Sequence, residues 1–224
     1  MGAMCNHYRK GPEVVRRSLE IIRGLAHGDI APEDFPADTF PKWPAPVVMQ
    51  ERGTRTLVEM RWCVERFIGD GKTKPVTNAR NDRLLSRTWK KCTETRRCLI
   101  PATGYYEPGR GPAGAKGEIL FTVRERPVFF FAGLWDANAD GRAFALVTTE
   151  SNDFVRRFHD RMPVVLDDGQ LNAWLGDESL GEEQLRALCL GLPSEALMHE
   201  ELPPALKISR PARKPAKDEG PELF

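Results

Sequence analysis

A single α+β domain dominated by antiparallel strands is the fold class predicted here, on three observations. Short apolar stretches rich in β-branched and aromatic residues recur with turn residues between them. Helical periodicity is confined to short segments at the two ends. The chain of 224 residues is long enough for one good core. The first helix is expected from Gly11-Pro12 to about Arg23, because Val14, Val15, Leu19, Ile22 and Ala26 share a face and proline suits a first turn. Residues 29–46 are proline-rich and read as an extended wrapping loop. Strands are expected over 46–50, 56–62, 98–106, 119–124, 128–135 and 142–149. Turn signals lie in the glycine-rich stretch 109–117 and in Asn138-Ala139-Asp140-Gly141. Three short helices should follow. Ser151 or Asn152 caps one that buries Phe154, Val155 and Phe158 and ends near His159. Leu171, Trp174 and Leu175 mark the second. Ser179 with Glu182 forms a capping-box pattern ahead of Leu185, Leu188 and Cys189, with Gly191 as the stop. The domain is expected over 4–202, and 203–224 reads as a flexible tail rich in proline, lysine and arginine.

Hydrophobic residues make up 41% and charged residues 29%, ordinary values for a soluble protein. No apolar run approaches the ~20 residues of a membrane span, and the N-terminus lacks the layout of a signal peptide. A cytoplasmic chain without a membrane partner is the expectation. Net charge is +1, from 33 basic and 32 acidic residues, so there is no overall basic excess to announce nucleic acid. A local excess exists between Lys72 and Arg97: Lys72, Lys74, Arg80, Arg83, Arg87, Lys90, Lys91, Arg96 and Arg97 against Asp82 and Glu94. It fits a phosphate-binding face and a solvated surface equally well. The five cysteines are odd in number and form no CxxC pair, which argues against a disulfide framework and a zinc site. Cys63, Cys98 and Cys189 sit in apolar settings and read as small core residues. Cys5 differs, having almost nothing before it.

Four polar residues are candidates for chemistry: Cys5, Asn78, Glu107 and His159. Singly, each has an ordinary explanation: a turn asparagine, a strand-end carboxylate, a helix-end histidine. Cysteine, glutamate and histidine can also build a cysteine-protease-like site, so the set alone leaves the reaction open.

The sequences around them say more. Met4-Cys5-Asn6, Arg61-Trp62, Thr77-Asn78-Ala79-Arg80, Arg97-Cys98-Leu99-Ile100-Pro101, Gly104-Tyr105-Tyr106-Glu107, Ala132-Gly133-Leu134-Trp135 and His159-Asp160-Arg161-Met162-Pro163-Val164 follow one another in that order. From Met4 to about Leu175 the chain resembles the SOS-response-associated peptidase family, whose members are abasic-site processing proteins. The resemblance implies a barrel-like sheet with peripheral helices and no cofactor. The implied partner is single-stranded DNA carrying abasic sites. It implies a cysteine made N-terminal by removal of what precedes it, so that α-amine and thiol together condense with the aldehyde of a ring-opened abasic sugar to a thiazolidine. Asn78 would hold the sugar or the amine. Glu107 would act as acid/base, and His159 would move a proton at the ring oxygen. Arg80 would lie near the DNA phosphates, with Trp62 and Pro44 as an apolar wedge beside the unpaired base. A monomer, nucleoid-associated when on DNA, is the expected form.

This sequence departs from the commoner family pattern in several places. Asn81-Asp82-Arg83 replaces Ala-Glu-Thr after the asparagine motif, Gly104-Tyr105-Tyr106-Glu107-Pro108 replaces Gly-Phe-Tyr-Glu-Trp, and Asn6 stands where glycine is usual. Met1-Gly2-Ala3 also precedes Met4. Either the natural start is Met4 or self-cleavage removes these residues, since the nitrogen of an internal cysteine is an amide and cannot condense. Two other readings stand beside this one: a cysteine peptidase acting on other proteins, and a non-catalytic module for single-stranded DNA.

Overall fold

The computed structural model describes residues 5–27, 30, 35–110, 114, 116–138 and 141–203. Met1–Met4, most of the 29–34 part of the wrapping loop, the centres of the turns at 111–115 and 139–140, and the tail from 204 onward lie outside the described residues. The elements in chain order are β1 (Tyr8–Arg9), α1 (Glu13–Ile21), β2 (Leu25–His27), β3 (Asp38–Thr39), β4 (Pro44–Glu51), β5 (Thr54–Trp62), β6 (Val64–Gly69), β7 (Lys72–Val76) and β8 (Asn78–Arg80). A 3-10 turn over Asn81–Arg83 leads to α2 (Lys90–Thr95), β9 (Arg97–Ala102), β10 (Gly104–Arg110), β11 (Lys116–Val123), β12 (Phe129–Asn138) and β13 (Gly141–Glu150). Then come α3 (Asp153–Arg156), β14 (Arg161–Pro163), β15 (Val165–Leu166), α4 (Asp168–Leu175), α5 (Glu182–Leu188) and β16 (Leu197–Leu202). The architecture is α+β with predominantly antiparallel pairing, as the sequence leads one to expect. No helix among the described residues is long and apolar enough to cross a membrane.

Two sheets carry the fold. One has the order β16-β11-β10-β1-β3. The other runs β14-β13-β12-β9-β4-β5-β2, and a parallel pairing of β13 with β5, Ala143 opposite Arg61 and Phe144 opposite Trp62, closes five of its strands into a ring. Alternation along these strands feeds two cores, because successive side chains point to opposite faces. Phe129, Phe131 and Trp135 of β12, with Cys98, Ile100 and Ala102 of β9, face the five-stranded sheet and meet Tyr8, Tyr105 and Phe121. Phe130, Ala132 and Leu134, with Leu99, face the helices, where α1 contributes Val14 and Val15 and α4 contributes Leu171, Trp174 and Leu175.

Several boundaries differ from the expectation. The predicted strand 98–106 is two strands in different sheets, broken at Thr103. Gly104 opens the second because a Cβ there would lie 3.0 Å from the Phe121 carbonyl oxygen and closer still to Leu120. The hairpin of β6 and β7 was not predicted, although Asp70-Gly71 marks it: both have positive φ (49° and 71°), as a two-residue type I′ turn requires. Asn152, not Ser151, caps α3, its Oδ1 accepting from Val155 N. The predicted Ser179/Glu182 capping box does not form. The helix starts two residues later, and Gln184 Oε1 accepts from Gly181 N. Asp167 and Gln170 make a reciprocal capping box ahead of α4.

Candidate active site

Beside β10 the N-terminal segment runs antiparallel, Tyr8 opposite Tyr105 and Arg9 opposite Gly104, with Tyr106 N donating to His7 O at 3.0 Å. That register brings Cys5 level with the middle of β10, where its backbone N–H donates to Glu107 Oε1 at 3.2 Å. His7 anchors the segment. Its ring stacks between Phe40 and Tyr106, with centroids at 4.2 Å and 3.8 Å, and its two nitrogens face Glu118 and Asp38, each at 3.0 Å. Tyr106 Oη also donates to Asp38, and the His7 contact holds the Asp38 carboxyl below its ordinary range.

Glu107 is fully buried. Burial pushes its carboxyl up to about 8. The Cys5 N–H opposes the shift and the charge of Asp160 adds to it. At neutral pH the group is therefore mostly a carboxylic acid. Oε2 has no hydrogen-bond partner among the described residues. Burial, then the neighbouring Glu107, push the Cys5 thiol well above its usual range, and the thiol donates to the His7 carbonyl at 3.8 Å. Cys5 is thus held as a neutral thiol beside a neutral acid. It becomes a strong nucleophile only as a base removes its proton.

The third residue arrives from the other sheet. β8 lies parallel to β13, with Asn78 opposite Leu146, and Asn78 Nδ2 donates to the Cys5 carbonyl at 3.4 Å. Cys5, Asn78 and Glu107 therefore meet across the junction of the two sheets. His159 makes no direct hydrogen bond to any of them among the described residues. It follows α3, half-buried, and its Nδ1 lies 3.0 Å from Arg161 N, 3.2 Å from the Arg161 carbonyl oxygen and 3.1 Å from Asp160 Oδ1. Its neighbours tie it to the same rim. Phe158 packs edge-on against Phe121, the cross-strand partner of Tyr105, and the Asp160 charge reaches Glu107 and Arg80.

The expected DNA-contact residues divide. Arg80 is exposed at the same rim and chelates Asp82 through two hydrogen bonds of 2.9 Å. Pro44 is half-buried at the start of β4, opposite Arg61. Trp62 corrects the expectation of a wedge. It is fully buried, stacked with Phe144 and edge-on to Tyr8, so neither face can meet a base. Its indole N–H instead donates to the Thr77 carbonyl at 3.0 Å, bracing the residue before Asn78. The basic stretch divides as well. Lys72, Lys74, Arg83, Arg87, Lys90 and Lys91 are exposed, Arg96 pairs with Asp136, and Arg97 is buried. Cys63, Cys92, Cys98 and Cys189 are buried free thiols.

Residues that the sequence reading did not single out complete the site: His7, Asp38 and Glu118, which anchor the Cys5 segment, and Asn6 with Thr77. The departure of Asn6 from glycine was the one signal pointing to the latter. Among the described residues no group of three or more His, Cys, Asp or Glu side chains is arranged to hold a metal ion.

Comparison with known proteins bears on the family and the fold. The chain is 26% identical over 151 residues to the abasic site processing protein YoaM of Bacillus subtilis, covering 64% of this chain and 66% of that protein. It is 27% identical over 149 residues to the abasic site processing protein YoqW of the same organism, covering 63% and 66%. The chain thus spans just under two thirds of the length of these relatives. The fold matches a crystal structure from Bordetella bronchiseptica with a TM-score of 0.69 at 23% identity, covering 88% of this chain and 99% of the other. It also matches one from Bacteroides thetaiotaomicron with a TM-score of 0.70 at 18% identity, covering 87% and 90%. The profile of the SOS response associated peptidase (SRAP) family matches residues 4–206, and the chain belongs to that family.

Proposed function

We propose that this protein binds abasic sites in single-stranded DNA and captures them covalently through Cys5, once the Cys5 nitrogen is a free amine. The observation that carries the reading is the Cys5 nitrogen lying 3.2 Å from a buried carboxyl whose pKa is about 8. The substrate class is supported by the names of the curated relatives, both abasic site processing proteins.

The chemistry balances without a cofactor. The amine adds to the aldehyde carbon, and the carbinolamine hydroxyl leaves as water on receiving the Glu107 proton. The thiol then adds to the resulting iminium carbon and its proton returns to the Glu107 carboxylate. One C–N and one C–S bond form, the C=O bond is lost, and one water departs. A pKa near 8 suits an acid that must give and recover a proton at neutral pH. Burial of the site keeps bulk water from the iminium before sulfur closes the ring. Asn78 holds the Cys5 carbonyl, and His159 at the rim moves a proton at the sugar oxygen. The same Glu107 acid, beside the Cys5 nitrogen, also suits release of that nitrogen as an amine when the Met4–Cys5 bond is hydrolysed, a self-processing peptidase step.

Intact mass spectrometry with an oligonucleotide containing one abasic site tests this. A chain beginning at Cys5 should form a heat-stable adduct equal to the sum of the two masses less one water, whereas the 224-residue chain should bind without crosslinking unless it first loses residues 1–4. Cys5→Ser should lose the stable adduct, and Cys5→Ala should leave a Schiff base trapped only on reduction. A stable adduct that still carries Met1 would refute the thiazolidine and require another nucleophile.

A further inference from the structure

Asn6, Thr77 and Asn78 form a chain of side-chain hydrogen bonds that reaches the Cys5 carbonyl, while Glu107 holds the Cys5 nitrogen. The Thr77 hydroxyl donates to Asn6 Oδ1 at 3.2 Å, Asn78 Nδ2 donates to Thr77 Oγ1 at 3.1 Å, and the same Nδ2 donates to the Cys5 carbonyl at 3.4 Å. The direction of each bond follows from the donor inventory. A carbonyl oxygen only accepts, so Cys5 requires the nitrogen end of the Asn78 amide. A threonine hydroxyl has one proton, and Asn6 Oδ1 takes it. Thr77 is left with lone pairs, which accept the second Asn78 N–H. Turning the amide over would lose the bond to Cys5, set the amide oxygen against the Cys5 oxygen, and force the Thr77 hydroxyl to turn away from Asn6.

Thr77 is itself immobilised. Its carbonyl accepts from the buried Trp62 indole and from Leu146 N, each at 3.0 Å. The hydroxyl is therefore placed by the ring of strands and not by a loose connection. All three side chains are half-buried, where such bonds are less exposed to competition from water.

We infer that Asn6 and Thr77 are positioning residues: they fix the orientation of the Asn78 amide and so lock the Cys5 backbone against Glu107. The inference rests on the proposed capture reaction, since it names what holds the reacting residue in place. Losing the latch frees Cys5 to rotate, so its amine and thiol leave the geometry in which Glu107 serves both.

Two measurements test it independently. In the 224-residue chain, the Asn78 side-chain amide protons, followed by NMR, should exchange with solvent about tenfold faster in Thr77→Val and in Asn6→Ala, and at the parent rate in Thr77→Ser, which keeps the hydroxyl. In chains beginning at Cys5, the first-order crosslinking rate on a saturating abasic oligonucleotide should fall about tenfold in the first two variants and be restored in Thr77→Ser. Affinity for an oligonucleotide carrying a tetrahydrofuran analogue, which has no aldehyde, should not change. Unaltered amide exchange overturns the inference whatever the crosslinking does, and altered exchange with unaltered crosslinking overturns the positioning role. If the parent chain beginning at Cys5 does not crosslink while the exchange rates respond as stated, the latch is upheld and the capture reaction is what fails.

Discussion

Glu107 shows how much one side chain's surroundings decide. Free in water it would be a carboxylate at pH 7, and buried beside Cys5 it holds a proton up to about 8. A folded-state pKa raised above the ordinary 4.5 means that the native chain binds the proton more tightly than the unfolded one. Its stabilising contribution is complete below pH 4.5 and declines as pH rises toward 8. Lys10 acts in the opposite sense, because burial lowers it to about 7 and stability is gained as pH rises from there. Glu107→Gln isolates the first effect: thermal unfolding of the variant should lose less stability than the parent between pH 5 and 8. The variant should also crosslink on the order of a hundredfold more slowly with near-normal DNA affinity, the mark of lost proton transfer. Equal loss of binding and crosslinking would make Glu107 a structural residue instead. His159→Ala should slow adduct formation and adduct reversal alike, because one proton shuttle serves both directions. A lower melting temperature with unchanged kinetics would reduce His159 to an end-of-helix role.

At the scale of elements, Arg97 binds pieces of the chain that are distant in sequence. Its guanidinium donates to the Thr93 and Glu94 carbonyls in the last turn of α2, to Trp174 at the end of α4, and to Gly176 and Glu178 just beyond. Carbonyls at helix ends lack partners within the helix, and a cation there also meets the negative end of the helix dipole. Arg97→Met keeps much of the volume and abandons these carbonyls. It should cost about 3 kcal/mol or more, a fall in melting temperature of roughly 6–12 °C for a chain of this size. A fall of under 2 °C by calorimetry would show that water replaces the guanidinium at little cost. The Arg97-Cys98 pair thus belongs to the frame of the site, with Cys98 buried under the Trp174 indole that donates to its carbonyl at 3.0 Å.

For the whole molecule, the near-zero net charge places any attraction to DNA in a local face. Arg80, Arg83, Arg87, Lys90 and Lys91 are exposed within one stretch of chain next to Asn78. Arg80 engages Asp82 through Nε and Nη2 and keeps Nη1 for a phosphate. Arg80→Ala should therefore weaken binding of abasic single-stranded DNA across sequences and flatten the dependence of log K on log salt, because phosphate contacts release counterions and do not read bases. An unchanged salt slope in fluorescence titrations would place Arg80 away from the phosphates.

Much of this was legible along the chain. Strands such as 142–149 and 128–135 announced themselves by length and alternation, and Asn152, Leu171 and Trp174 marked their helices, because those signals are local. The motifs also singled out Cys5, Asn78 and Glu107, three residues that the fold brings together from two sheets. What the sequence could not carry is whatever depends on burial or on partners far along the chain. β1 and β3 have two residues each, too few for any period. The β5–β13 contact that closes the ring is a parallel pairing across some 80 residues. Trp62 and Arg97 look like surface or DNA-contact residues from their neighbours in sequence, and each is buried, Trp62 packed against Phe144 and Tyr8 and Arg97 donating to carbonyls some 80 residues away. The same holds for the pKa of Glu107, which is set by the water that folding removes and by the Cys5 nitrogen that folding delivers, 102 residues away.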